Sequence, residues 1–164
     1  MDQKTTSAAK LCLLTVPMIV AVGFLMGKVS NSGFGNGWFD HLAKPAAMPP
    51  GWAFGVAWTI LYVLLGIALA IALAAPRSRP RRTGLVLFAL QLLLNYSWSP
   101  LFFAAHQATI ALAVIVLILL LAIAAAVALR RVSPTIVLLM IPYFAWLAFA
   151  TYLNFEIMRL NPGL

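Results

Sequence analysis

The sequence predicts an all-α integral membrane protein, a single domain over residues 1–164 built as a bundle of five transmembrane helices with a long loop between the first two. Composition is the first reason. Hydrophobic residues make up 64% of the 164 and charged residues 9%, against roughly 45–50% apolar and about 25% charged in soluble domains, and the mean hydropathy is +1.02. Too little polar surface remains to cover a water-facing body of this size. Segmentation is the second reason: five apolar runs match the ~20 residues an α-helix needs to cross about 30 Å of hydrocarbon. Each is continuous and rich in Leu and Ala, where a barrel strand would alternate apolar and polar residues over about ten positions. The third reason is the placement of charge around those runs. The single Cys12 excludes an intramolecular disulfide and any cysteine-based metal cluster.

The first run, 11–27, follows Lys4 and Lys10, a pattern shared with secretory signal peptides. Gly23, Met26, Gly27 and Lys28 offer no convincing small-x-small cleavage site, so the run is read as a helix. Residues 28–50 form a lid loop of 23 residues. Its Ser30 to Gly37 half reads as a hinge, and its WFDHLAKPAAMPPGW half, aromatic and proline-bearing, as a packed lid. Span two, 51–75, starts behind Pro49 and Pro50. Spans three to five cover 83–103, 108–129 and 134–158, the last opened by Ser133 as N-cap and Pro134 at the first helical position. Pro17, Pro100 and Pro142 lie inside spans and should bend them. The short connections among spans two to five make these antiparallel neighbours.

Lys4, Lys10, Arg77, Arg79, Arg81, Arg82, Arg130 and Arg131 all fall on one side of such a bundle, with Lys28, Lys44 and Arg159 on the other. The positive-inside rule then makes the N-terminus cytoplasmic and favours a bacterial cell membrane over an outer membrane. The formal charge of +8 records orientation and requires no nucleic acid. The Arg77 to Arg82 stretch is placed to touch anionic lipid head groups.

Gln91, Asn95, Trp98 and Phe102 share one face of span three, which must turn inward because amides facing lipid are costly. That face reads either as interhelical hydrogen bonding or as the polar part of an apolar ligand pocket. Trp58 and Tyr62 on span two, and Tyr143, Trp146, Ala150 and Asn154 on span five, are the stripes that would complete an aromatic cavity for a large, flat, hydrophobic ligand. Such stripes equally serve packing or an interfacial belt. Gly23 with Gly27, and Gly51 with Gly55, form GxxxG pairs able to seat a helix or a dimer partner. Glu156 and Arg159 read as an interfacial ion pair. His41 and His106 lack further ligands at metal-binding spacing, so no metal site is expected. No catalytic triad, phosphate loop or paired catalytic carboxylates occur.

Three ordered blocks, WFDHLAKPAAMPPGWAFGVAWTILY, QLLLNYSWSPLFF and PYFAWLAFATYLNFEIMRLN, resemble the tryptophan-rich sensory protein / translocator protein family (TspO/MBR), which includes the peripheral benzodiazepine receptors. The likeness runs from Trp38 to Asn161 and points to a bacterial member. It implies a five-helix bundle, often a homodimer, with a cavity closed by the first loop. Expected ligands are porphyrins, including protoporphyrin IX and haem, with sterols, lipids, and isoquinoline or benzodiazepine drugs; no cofactor is required. By motif position Trp58, Asn95 and Trp146 would line the pocket, with Ala150 and Leu153 on its span-five wall. Phe39 stands where some members carry Tyr in the loop motif. Lys44 is placed either to pair with a porphyrin propionate or to stand solvated or cap a helix. Phe155 replaces the Tyr of the sterol-recognition pattern between Leu153 and Arg159, which counts against sterol transport.

Combining stripes and resemblance gives the expected ligand-binding set: Phe39, Lys44, Trp58, Tyr62, Gln91, Asn95, Trp98, Tyr143, Trp146, Ala150 and Leu153. The function expected is a receptor or transporter for porphyrins with a sensory role in tetrapyrrole or stress response. One alternative is a light- and oxygen-dependent porphyrin-degrading enzyme with Trp58 and Trp146 as reactive indoles. The other is a structural membrane protein without a ligand.

Overall fold

The computed structural model describes residues 3–164, and all regular structure among them is helical. Five helices are long and apolar enough to cross a membrane: α1 (Gln3–Val29), α3 (Gly51–Ala74), α4 (Arg79–Ser99), α5 (Ala108–Leu129) and α6 (Pro134–Leu160). A one-turn helix, α2 (Gly37–His41), sits in the long loop. Lys4 falls on the first turn of α1, and its side chain lies outside the described residues.

The five long helices overlay the five apolar runs, but α1 starts eight residues ahead of its run and α4 four residues ahead of its own. Span three begins at Arg79 because Ser78 is an N-cap whose hydroxyl accepts from Arg81 N–H, with proline in the first turn. At its far end, α4 passes into a π-helical turn over Pro100–Ala104, closed by Ala105 N–H on the Pro100 carbonyl at 2.9 Å. Proline cannot donate to the preceding turn, and the wider turn is the local answer. It buries both Phe102 and Phe103. Ser133 occupies the N-cap position of α6, but its hydroxyl makes no capping bond; its carbonyl receives Ile136 N–H instead.

Lateral order departs from chain order. The principal contacts are α4 on α5, α1 on α3, α5 on α6 and α3 on α6, while α3 and α4 barely touch. Spans two and three are therefore not packed neighbours, despite their short connection. They are tied chiefly at one end, where Arg81 donates Nε to the Ala72 carbonyl at 2.8 Å and Nη2 to the Leu73 carbonyl at 2.9 Å. This fork satisfies carbonyls at the C-terminus of α3, where a cation is also favoured by the helix dipole.

Glycines set two close approaches between helices. A Cβ at Gly66 would stand 2.6 Å from Val16 Cα, so α1 lies with its backbone against α3. Thr15 Oγ1 donates to the Gly66 carbonyl across that contact at 2.8 Å. At Gly84 of α4, a Cβ would meet Leu129 of α5 at 2.5 Å. In a bilayer, where apolar surface gains nothing by leaving lipid, such small-residue contacts carry much of the association. Strongly exposed leucines, among them Leu13, Leu93, Leu120 and Leu138, are those of a surface turned to hydrocarbon.

Candidate ligand cavity

Because α3 and α4 stand apart, the bundle holds a partly open cavity of about 580 Å³, within the range of small-molecule sites. Helix α3 contributes Phe54, Trp58 and Tyr62, and α4 contributes Asn95 and Trp98. Helix α6 supplies Trp146, Ala150, Leu153 and Asn154. Phe39 and Met48 reach it from the loop, and Gly23, Phe24 and Gly27 from α1.

Aromatic geometry fixes the walls. Trp58 and Trp146 meet edge to face at 6.3 Å, and Phe54 meets Trp146 the same way at 5.8 Å. Trp98 stacks on Phe102 at 5.1 Å, and Phe102 presents its edge to Phe39 at 6.3 Å. Edge-to-face and offset pairs of this kind lock ring orientation as well as burying area.

One wall carries a directed hydrogen-bond chain. Tyr62 O–H donates to Asn95 Oδ1 at 3.0 Å, Asn95 Nδ2 donates to the Tyr143 oxygen at 3.1 Å, and Tyr143 O–H donates to Gln91 Oε1 at 2.8 Å. The chain links α3, α4 and α6. Gln91 and Tyr143 are both 0% exposed, and neither lines the cavity. They stand behind Asn95 and hold its amide. Tyr143→Phe leaves two buried amides each one partner short and should cost about 1–3 kcal/mol. A melting temperature in detergent equal to that of the unaltered chain would contradict this chain of bonds.

The remaining expected site residues, Phe39, Trp58, Tyr62, Asn95, Trp98, Trp146, Ala150 and Leu153, all face the cavity. Lys44 does not. Its ammonium donates to the Phe39, Leu42 and Asp40 carbonyls at 2.7, 3.1 and 3.2 Å and lies 4.6 Å from the centre of the Phe39 ring. These bonds cap the C-terminus of α2, so Lys44 shapes the lid and its charge is already engaged. Sequence reasoning missed Phe54, one turn before Trp58, and the whole α1 wall. Gly23 is the signal there: a Cβ would overlap the Tyr62 ring at 2.1 Å, so only glycine lets that phenol lie against α1.

The Gly/Ser half of the loop is tied down where a hinge was expected. Asn36 accepts from Phe39 N–H at 3.0 Å and donates Nδ2 to the carbonyls of Asn31 and Phe103 at 3.0 and 3.2 Å. Gly33 and Gly35 take left-handed φ values of 97° and 93°, which let the chain fold back on itself. Trp38 stacks on His106 at 4.3 Å. Asn161, just past α6, exchanges two 2.9 Å hydrogen bonds with the backbone of Ala43. The lid is thus pinned at both ends. Glu156 and Arg159 pair at 2.8 Å near the C-terminal end of α6.

The TspO/MBR family model matches residues 15–160. Similar chains include the tryptophan-rich protein TspO of Chlorobaculum tepidum, 39% identical over 150 residues, 91% of this chain and 94% of that one. The translocator protein of Homo sapiens is 36% identical over 145 residues, covering 87% and 86%. The tryptophan-rich sensory protein of Cereibacter sphaeroides is 38% identical over 124 residues, covering 76% and 77%.

Proposed function

The chain belongs to the TspO/MBR family, and from that premise we propose that it is a membrane receptor for porphyrins and other flat hydrophobic molecules, with a sensory or transport role in tetrapyrrole or stress response. The observation that carries the reading is the cavity itself: indoles of Trp58, Trp98 and Trp146 arranged around one fixed amide, Asn95. Flat π-systems gain from such walls, each offset or edge contact contributing about 0.5–1.5 kcal/mol beyond burial. Asn95 has a second Nδ2 hydrogen beyond the one given to Tyr143, suited to a ligand carbonyl or carboxylate. A porphyrin in this site requires no metal from the protein.

Full-length protein in detergent, titrated with protoporphyrin IX, should show saturable quenching of tryptophan fluorescence at one ligand per chain. Asn95→Ala should weaken binding about fivefold, the value of one hydrogen bond. Quenching that rises linearly without saturation, or equal affinity in the variant, contradicts the assignment.

A second reading rests on the Trp58–Trp146 pair, since a photoexcited porphyrin held against it can oxidise an indole, with oxygen as co-substrate. Illuminated complex should then lose its porphyrin absorption faster than free porphyrin in the same detergent, and Trp146→Phe should slow that loss. Decay at the free-porphyrin rate removes the enzyme reading and leaves the receptor. A homodimer in a bacterial cell membrane remains part of the proposal.

A further inference from the structure

We propose that the cavity holds a second polar subsite, Asn154 Oδ1, which accepts a hydrogen bond from a ligand N–H or O–H; this rests on the cavity being a ligand site. Asn154 lies on α6 one turn beyond Ala150, lines the cavity and is 1% exposed. Its Nδ2 donates to the Ala108 carbonyl, at the first residue of α5, at 3.1 Å. That bond settles the orientation of the amide. Turned over, Oδ1 would face the Ala108 carbonyl, two acceptors with no proton between them. Oδ1 is therefore the end left over, buried and without a donor.

Buried side-chain carbonyls are almost always hydrogen-bonded. The other buried side-chain atoms without partners among the described residues are all N–H donors, on Gln91, Trp98 and Trp146, and none of them reaches Asn154. The two indoles also line the cavity. A complementary ligand brings acceptors for the indoles and at least one donor for Asn154. Pyrrole, indole and secondary amide N–H groups qualify, as does a protonated acid. A molecule with acceptors alone leaves Oδ1 unpaired and loses affinity.

A matched pair of flat probes isolates this atom: 2-phenylindole, which carries an N–H, and 1-methyl-2-phenylindole, which does not. Each is titrated into the full chain in detergent, with partition into empty micelles subtracted, beside protoporphyrin IX as reference. The unaltered chain should bind the N–H probe roughly fivefold more tightly than its methylated partner. Asn154→Leu should bring that ratio to about one by weakening the N–H probe alone. Equal affinities in the unaltered chain overturn the subsite without recourse to a variant, as does failure of both probes to bind where protoporphyrin saturates. Failure of the probes and of protoporphyrin together overturns the cavity reading itself.

Discussion

Gly66→Leu should remove α1 from its place in the bundle. The backbone of Val16 occupies the space into which any side chain at Gly66 would grow, with Val16 Cα 2.6 Å and Val16 N 3.0 Å from a Cβ there. A flexible side chain can turn aside, but a helix backbone cannot, and the Thr15 hydrogen bond to the Gly66 carbonyl depends on the same close approach. Overpacking of an ordinary core costs about 1–3 kcal/mol; backbone against backbone should exceed this, at about 3 kcal/mol or more. The melting temperature in detergent should fall by roughly 6–12 °C, taking about 2–4 °C per kcal/mol for a chain of this size. Gly55→Leu is the contrast, since nothing lies within 4 Å of a Cβ there, and should leave the monomer's melting temperature nearly unchanged. Equal losses in the two variants would show that α1 is not seated on Gly66.

Trp146→Ala should have the largest effect on ligand affinity. Its ring meets Trp58, Phe54 and Phe149 with centroids 6.3, 5.8 and 5.8 Å away. It also separates the internal cavity from a shallow apolar groove on the outer face of α3 and α6, lined by Ala57, Ile60, Pro142 and Phe149. Truncation removes a stacking surface and opens the wall to lipid. Loss of an aromatic anchor in a desolvated site costs about 2 kcal/mol or more, so protoporphyrin affinity should fall about 30-fold. Trp52→Ala provides the control: Trp52 is 72% exposed near the start of α3 and does not line the cavity. If both variants bind protoporphyrin equally, the ligand lies elsewhere.

Much of this architecture is legible in the sequence because a bilayer imposes simple rules. Apolar length marks each span, and the amides Gln91 and Asn95 have to face inward. Pairwise geometry is harder to read. Tyr143 shares the inward side of α6 with Trp146, yet is wholly buried behind the cavity wall, because its hydroxyl is held between Asn95 and Gln91. Lys44 reads equally as a ligand cation or a helix cap until α2 is seen to end beneath it. GxxxG spacing points to Gly23, which seats the Tyr62 ring, but not to Gly66 and Gly84, which are isolated in their helices and gain meaning only from Val16 and Leu129 opposite them. Nor does a short connection imply packed neighbours. The gap between α3 and α4 is the cavity, and only the order of the helices around the bundle reveals it.

The central claim is that a flat hydrophobic ligand occupies the space between α3, α4 and α6 beneath the lid. A structure of the full chain with protoporphyrin IX bound tests it most directly. The account predicts the macrocycle between Trp58, Trp98 and Trp146, within hydrogen-bond reach of Asn95. A macrocycle lying against Ala57, Ile60 and Pro142 on the outer face, with the internal cavity empty, would contradict it.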